Sequence, residues 1–481
     1  MNRNDIFRLS TFALSGVLPL LTACGGEDEP RSGQQGDTCS RDGRSPCESG
    51  LACDPRADAS GFVCGEPASI EGQVRDALGQ DGLAGARVVA LGADGSPAGD
   101  VAYTDDSGRY SLGVSAPREA DGSIAATAQW TLTVSAAGYE TFPAGPRPAV
   151  PISGSQVGAS GTIEAPSTDV ALLPLAQPEL YSLQISGNIS AADPGGTLVV
   201  AESGAGPAPH AIASRSGEFV IFNVPPGTFE LAGYKRGQQL ERVTVDTSQG
   251  SVSDALLASA ETRLGNVSGN VNIVNAPGGS ATSVVLVPES LFDSRLERGA
   301  IPLGLRAPGL PDLPSVSGAF QIDQVPPGDY VVLAAFENDS LVRDPDTSIA
   351  GTALQHVTVG AGESVAMSQS FKITEHLAIV GPGAEAPERV TGPVTFRWSD
   401  DSSEDRYELE LHTALGDLVW EQRAVFAGRG GEDVELVYDG PALAAGMVYQ
   451  FRVTSFRDRS GQTTAISRSE DLRGVFEWYP E

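Results

Sequence analysis

The residues of this chain best equipped for chemistry are its cysteines. Cys39, Cys47, Cys53 and Cys64 lie close together, and no cysteine follows them in the 481-residue sequence. The fifth, Cys24, stands apart. A tight group of thiols forms either disulfides or a metal site. An exported chain meets an oxidising compartment, where four clustered cysteines read as two disulfides. A zinc site is disfavoured, because the spacing holds no C-x-x-C pair and no histidine is near. The segment is too short and polar to fold around an apolar core, so bridges take the place of that core. Three connectivities are possible, and spacing does not choose among them.

Other chemistry finds little support. Only four histidines exist, His210, His356, His376 and His412, far apart in sequence and outside any H-E-x-x-H pattern. They are expected at surface or turn positions. No G-x-S-x-G elbow and no phosphate-binding G-x-x-x-x-G-K-[ST] loop is present. The acidic groups Asp105-Asp106, Asp400-Asp401 with Glu404-Asp405, and Asp339 with Asp344 and Asp346 match no twelve-residue calcium loop. Aspartates in tight turns account for them more simply. The reading is therefore of a protein without catalytic residues, cofactor or bound metal. A formal net charge of −31 also sets it against phosphate backbones, so nucleic acid is not an expected partner.

Cys24 ends the run Leu21-Thr22-Ala23-Cys24, after an apolar stretch from about Leu9 and a start carrying Arg3 and Arg8. The stretch is too short to span a bilayer comfortably. This pattern resembles a bacterial lipoprotein signal with its lipobox. The resemblance implies that residues 1–23 are removed and that Cys24 carries diacylglycerol and a further fatty acid such as palmitate. Gly25 and Gly26 lack the aspartate that retains enteric lipoproteins in the inner membrane, so the outer membrane is expected. Residues 24–37 are polar and glycine-rich and read as a flexible tether. Residues 38–66 form the disulfide-rich segment, which loosely resembles Dickkopf-type and colipase-like cysteine motifs. No other long apolar run is present, so the lipid is the expected hold on a membrane.

The elements that follow are strands. The chain has 57 glycines and 33 prolines, a composition of many short strands joined by turns rather than of helices. An apolar-x-Gly-x-apolar opener occurs as Ile70-Glu71-Gly72-Gln73-Val74, Ile185-Ser186-Gly187-Asn188-Ile189 and Val267-Ser268-Gly269-Asn270-Val271. Each is followed by a β-branched strand and then by Ser-Gly-x-aromatic, ending in Tyr110, Phe219 and Phe320. The last two copies continue into Val-Pro-Pro-Gly at 224–227 and 325–328. Period-two alternation between turns marks half-buried strands. Proline presets φ and glycine permits positive φ, so Pro-Pro-Gly predicts a turn between the next two strands. Recurrence at such long spacing is domain duplication rather than a short-period solenoid.

The opener, the Gly85 to Val88 step, Thr104-Asp105-Asp106-Ser107-Gly108-Arg109-Tyr110 and Gly138-Tyr139 together resemble the carboxypeptidase regulatory-like domain. The likeness covers residues 68–175 and is weaker over 182–258 and 264–372. It implies small sandwiches of roughly seven strands, related in shape to transthyretin-like modules and without catalytic residues. An insertion at 288–314 falls in the third copy, where Asp293 to Arg298 suggests one or two helical turns and the remainder is loop.

The last module, 374–481, differs. Val394-Thr395-Phe396-Arg397-Trp398 and Tyr407-Glu408-Leu409-Glu410-Leu411 alternate in polarity. Leu443, Gly446 and Tyr449 resemble the tyrosine corner of fibronectin type III domains, with Trp398, Tyr407 and Tyr449 at core positions. The fold class is thus all-β, with tandem β-sandwich modules behind a small disulfide-rich segment. The expected function is that of a lipid-anchored envelope protein whose modules act as stiff spacers and contact envelope or extracellular proteins. The alternative is a carbohydrate- or peptidoglycan-binding accessory protein, which needs exposed aromatic platforms. Tyr110, Trp130, Phe219, Phe320, Trp398 and Tyr449 are instead expected at inward or turn positions.

Overall fold

The computed structural model describes residues 32–40, 45–144, 146–147, 149–204, 207–261, 263–274, 282–294, 298–335, 354–367, 371–374, 377–385, 387–401, 404–426, 433–469 and 473–480. Cys24, the signal segment, His376, Asp339, Asp344 and Asp346 lie outside the described residues. The described residues form strands and short 3-10 turns, with no α-helix among them.

The repeated opener glycine is explained by what faces it. Gly72 pairs across the sheet with Tyr110, Gly187 with Phe219 and Gly269 with Phe320. A Cβ on Gly187 would lie 2.8 Å from the Phe219 ring, and one on Gly269 the same distance from Phe320. The missing side chain leaves room for the aromatic ring to lie across the opener, and all three aromatics are buried.

The three openers are central strands. Ala68–Asp76 pairs antiparallel with Arg109–Val114 and parallel with Thr162–Glu164 and Val170–Leu172. Leu183–Ser190 sits likewise between Glu218–Val224 and the parallel Val252–Ala258. Gly265–Val274 sits between Ala319–Val325 and the parallel Ser364–Ala366 and Phe371–Thr374. Each sandwich is closed by its first strand pairing with its last. The facing sheets are built on Arg87–Gly92, Leu198–Glu202 and Ser283–Pro288, which pair antiparallel with Gln129–Ser135, Thr228–Tyr234 and Gly328–Ala335.

Two local expectations are corrected. The Pro-Pro-Gly segments do join successive strands, and those strands belong to opposite sheets. Gly227 and Gly328, however, do not adopt positive φ; the left-handed residues are Asn223 (φ 60°) and Gln324 (φ 59°), one position before the valine. In the insertion, Asp293 and Arg298 pair in an antiparallel bridge, which helical turns over 293–298 would not form; residues 295–297 lie outside the described residues. A single 3-10 turn covers Glu289–Leu291.

The disulfides are Cys39–Cys53 and Cys47–Cys64. They flank the small hairpin Ala52–Pro55 with Phe62–Gly65. Gly33, inside the expected tether, donates to the Pro46 carbonyl at 2.7 Å, and Gly36 donates to that of Cys64 at 2.8 Å. Gly33 and Gly36 are thus held against the disulfide-rich segment. The segment docks on the first sandwich through Asp54, fully buried, which accepts from Arg118 at 2.8 Å.

The sandwiches are packed flank to flank. In Leu198–Glu202, Val199 and Ala201 face the core of their own sandwich, whereas Leu198 and Val200 join the core of the third. Ala232 and Tyr234 do the same from the neighbouring strand. The second and third sandwiches thus share one apolar interior.

The fourth sandwich has a three-stranded sheet of Ile379–Gly381, Thr395–Trp398 and Val434–Val437. The facing sheet centres on Val448–Arg459 and Arg406–Thr413. Trp398 and Tyr407 meet edge to face in the core, 5.5 Å apart. The Tyr449 hydroxyl accepts the Ala444 N–H at 2.7 Å, pinning the crossing just upstream of its strand. This sandwich meets the first one through a small buried cluster of Ala77, Leu173 and Ala414.

Candidate functional site

The residues with catalytic chemistry are dispersed. His210 lies in the second sandwich, its Nδ1 3.1 Å from the Ala208 carbonyl, and burial holds its pKa below the usual imidazole value. His356 lies in the third, 3.2 Å from Glu289, and His412 in the fourth, 3.4 Å from Glu410. The described histidines thus sit in three different sheets.

The acidic groups serve turns and strand ends. Asp105 accepts from the Ser107 N–H at 2.9 Å, the Ser107 hydroxyl at 2.7 Å and the Arg109 N–H at 2.9 Å. The Ser107 hydrogen bond, with help from Arg109, holds its carboxyl below the usual range. Asp121 and Asp246 repeat the Asp-x-Ser arrangement and are lowered in the same way by Ser123 and Ser248. In the fourth sandwich, Asp400 accepts from the Tyr407 hydroxyl, Asp401 from the Ser455 hydroxyl and Asp405 from the Asp458 N–H. Burial, with Asp400 and Asp401 nearby, raises the pKa of Glu404. Those three aspartates turn to different partners instead of converging on one point, as calcium ligands must. The sulfurs of Cys39, Cys47 and Cys64 do lie within 4.8 Å of one another, but each is held in a disulfide.

Aromatic platforms are similarly dispersed. Tyr110, Trp130, Phe219, Phe320, Trp398 and Tyr449 are all buried. The exposed rings among the described residues are Tyr103, Tyr181 and Phe426, in the first sandwich, in the turn after it and in the fourth.

What the structure does bring together is the set of contacts between modules. The first and second sandwiches meet through Asn223. Its amide donates to the carbonyls of Ala136 (3.2 Å) and Tyr139 (2.7 Å) and accepts from the Gly138 N–H (2.7 Å). Arg215 donates to the Ala98 carbonyl at 2.6 Å, and Arg87 approaches that of Glu218 at 3.4 Å. The same relation recurs one module on. Gln324 occupies the place of Asn223, and its carbonyl accepts from Gly237, which occupies the place of Gly138. Sequence reasoning passed over Asn223 and Gln324. The available signal was an amide side chain directly before Val-Pro-Pro-Gly in both copies.

A groove of about 720 Å³ opens where the second and third sandwiches join, lined in part by Glu202, Tyr234, Arg242, Glu289, Phe292 and Asp329. Arg242 lies 2.6 Å from Glu202 and 2.9 Å from Glu230, and donates to the Tyr234 hydroxyl at 3.0 Å. Burial opposes the arginine charge, but Tyr234, Glu202 and Glu230 outweigh it and raise its pKa. Burial and Glu202 also push the Tyr234 phenol upward. These groups bind one another within the second sandwich, and the Ser290 hydroxyl of the third donates to Glu202 at 2.8 Å. A smaller recess of about 310 Å³ in the fourth sandwich is lined by Val380, Pro382, Arg397 and Glu435 among others.

No protein-family model matches the chain, and no curated protein matches its sequence. Solved structures that align with it include a minor pilin of Streptococcus agalactiae, at 15% identity and TM-score 0.19, covering 43% of this chain and 100% of that one. The shaft pilin SpaA of Lactobacillus rhamnosus GG aligns at 11% identity and TM-score 0.17, covering 40% of this chain and 98% of that one. A streptococcal ancillary pilin aligns at 10% identity and TM-score 0.15, covering 64% of this chain and 99% of that one. TM-scores this low support no argument, so the architecture rests on the sheets themselves.

Proposed function

We propose that this is a non-catalytic cell-envelope protein, acylated at Cys24, that displays a packed array of β-sandwiches for structural or protein-interaction roles. The observation that carries the reading is the state of the cysteines. Four are bridged in pairs, as export into an oxidising compartment requires, and the fifth ends a lipobox-like run. The dispersal of histidines and carboxylates supports a role without catalysis. The module limits are proposed as 38–66, 68–175, 182–258, 264–372 and 374–481, with carboxypeptidase regulatory-like character in the first sandwich. The Tyr449–Ala444 bond and the buried Trp398 and Tyr407 support a fibronectin type III-like reading of the last. The partners are envelope or extracellular proteins, and the outer membrane is the proposed location.

The test is metabolic labelling with palmitate, followed by membrane fractionation of the full-length protein and its Cys24→Ser variant. The reading requires label on the native chain, found with outer-membrane material, and an unlabelled variant recovered in the soluble fraction. Equal membrane retention of both, without label, contradicts it. The glycan-binding alternative needs an exposed aromatic pair, and the exposed rings among the described residues, Tyr103, Tyr181 and Phe426, form no contact pair with one another. Sedimentation of the variant with insoluble peptidoglycan would favour it nonetheless.

A further inference from the structure

The insertion in the third sandwich reaches the other three sandwiches. It is anchored at home by Leu291 and Leu305, both buried in the core of that sandwich. The Leu286 N–H donates to the Leu305 carbonyl at 3.0 Å, extending the sheet into the insertion. From this base the Ser290 carbonyl accepts from the Ala208 N–H of the second sandwich at 2.8 Å, and the Ser290 hydroxyl donates to Glu202, also at 2.8 Å. The Leu303 carbonyl accepts from the Arg236 N–H of the second sandwich at 2.9 Å.

The Leu303 side chain lies over two glycine turns at once. A Cβ on Gly196 of the second sandwich would come within 2.7 Å of one Leu303 methyl. A Cβ on Gly95 of the first would lie 3.2 Å from the other methyl and 3.4 Å from a Leu310 methyl. Both glycines have positive φ, at 77° and 79°. The turns that need glycine for their backbone therefore also leave sockets that a larger residue would fill. Toward the fourth sandwich, the Arg298 guanidinium lies 3.5 Å from the Gln450 side-chain oxygen, and both residues are buried.

We propose that the described insertion residues, 289–294 and 298–310, act as an intramolecular clasp that fixes the modules as one body. A loop of this length is ordered only if its contacts offset the conformational entropy it loses. Here those contacts fall on three other modules as well as its own. The clasp makes the array present one composite surface, so that a partner meets residues from several sandwiches in fixed relation. The inference stands on packing alone and does not depend on acylation at Cys24.

Amide hydrogen exchange of the full mature chain tests it, with Leu303→Asp and the milder Leu303→Ala compared with the native protein. The Ala208 and Arg236 amides, which donate to insertion carbonyls, should exchange at least about tenfold faster in both variants. The core amides of Val199 and Leu231 should keep their protection. If Leu303→Asp loses core protection, Leu303→Ala decides. Unchanged exchange at both Ala208 and Arg236 in a folded variant overturns the clasp.

Discussion

The junction between the first and second sandwiches and the one between the second and third use equivalent positions with different chemistry. At the first, a polar fork does the joining: Asn223 satisfies three backbone groups of the 136–139 loop, and Arg215 reaches the Ala98 carbonyl. At the second, the corresponding contact is one backbone hydrogen bond from Gly237 to Gln324, while Leu198, Val200, Ala232 and Tyr234 supply apolar surface. Tyr234 also meets Tyr330 edge to face, with centroids 5.9 Å apart. Separating the polar junction exposes groups that water can solvate. Separating the apolar junction exposes the inside of a core. One placement of modules thus accommodates both a directional contact and a fusion.

The largest effect that would break this comparison comes from Val200→Asp. Val200 is fully buried between the two sandwiches, and a carboxylate there has no partner. The expected loss is about 5 kcal/mol or more, with the second and third sandwiches unfolding together in denaturant. Retention of the third sandwich at native stability would show that the two cores are separate.

A smaller effect is expected at the polar junction. Asn223→Ala removes three hydrogen bonds and leaves a residue with a β-carbon at φ 60°, for a loss of about 1–3 kcal/mol. The second sandwich should still fold, with faster amide exchange at Gly138 as the readout. A drop as large as that of Val200→Asp would erase the distinction between the junctions.

The smallest effect belongs to the turns. Asp105, Asp121 and Asp246 have pKa values lowered by their serine partners in the folded chain. A carboxyl depressed on folding adds stability above its unfolded pKa, near 3.9, and loses it as pH falls through the folded value. Replacing all three with asparagine should flatten the decline of the thermal midpoint between about pH 4 and pH 2, measured by circular dichroism. These aspartates are exposed, so a steep acid transition that survives the replacement would place acid sensitivity at the junctions instead.

Much of each sandwich was legible in the chain because local rules govern it. The Gly72, Gly187 and Gly269 openers, their aromatic partners and the cysteine cluster all carry short-range signatures. The packing between sandwiches was not read, although a cue was present. Ser283-Val284-Val285-Leu286-Val287 has no polar alternation, and all of it is buried. A strand apolar on both faces needs cover on both faces. Leu198-Val199-Val200-Ala201 carries the same message. The reach of the insertion left no such trace, because Leu303 and its sockets Gly95 and Gly196 are far apart in sequence and ordinary in type. The left-handed Asn223 and Gln324 were hidden by the more familiar Pro-Pro-Gly beside them.

Small-angle X-ray scattering from the full mature chain carrying Cys24→Ser tests the flank-to-flank body most directly. A single packed body of this length should give a radius of gyration near 23 Å, enlarged slightly by its tether, where four modules of roughly 13 Å strung end to end would exceed about 40 Å. A value close to the first, with one maximum in the pair-distance distribution, is the predicted result. A value close to the second, with several maxima, would contradict the account.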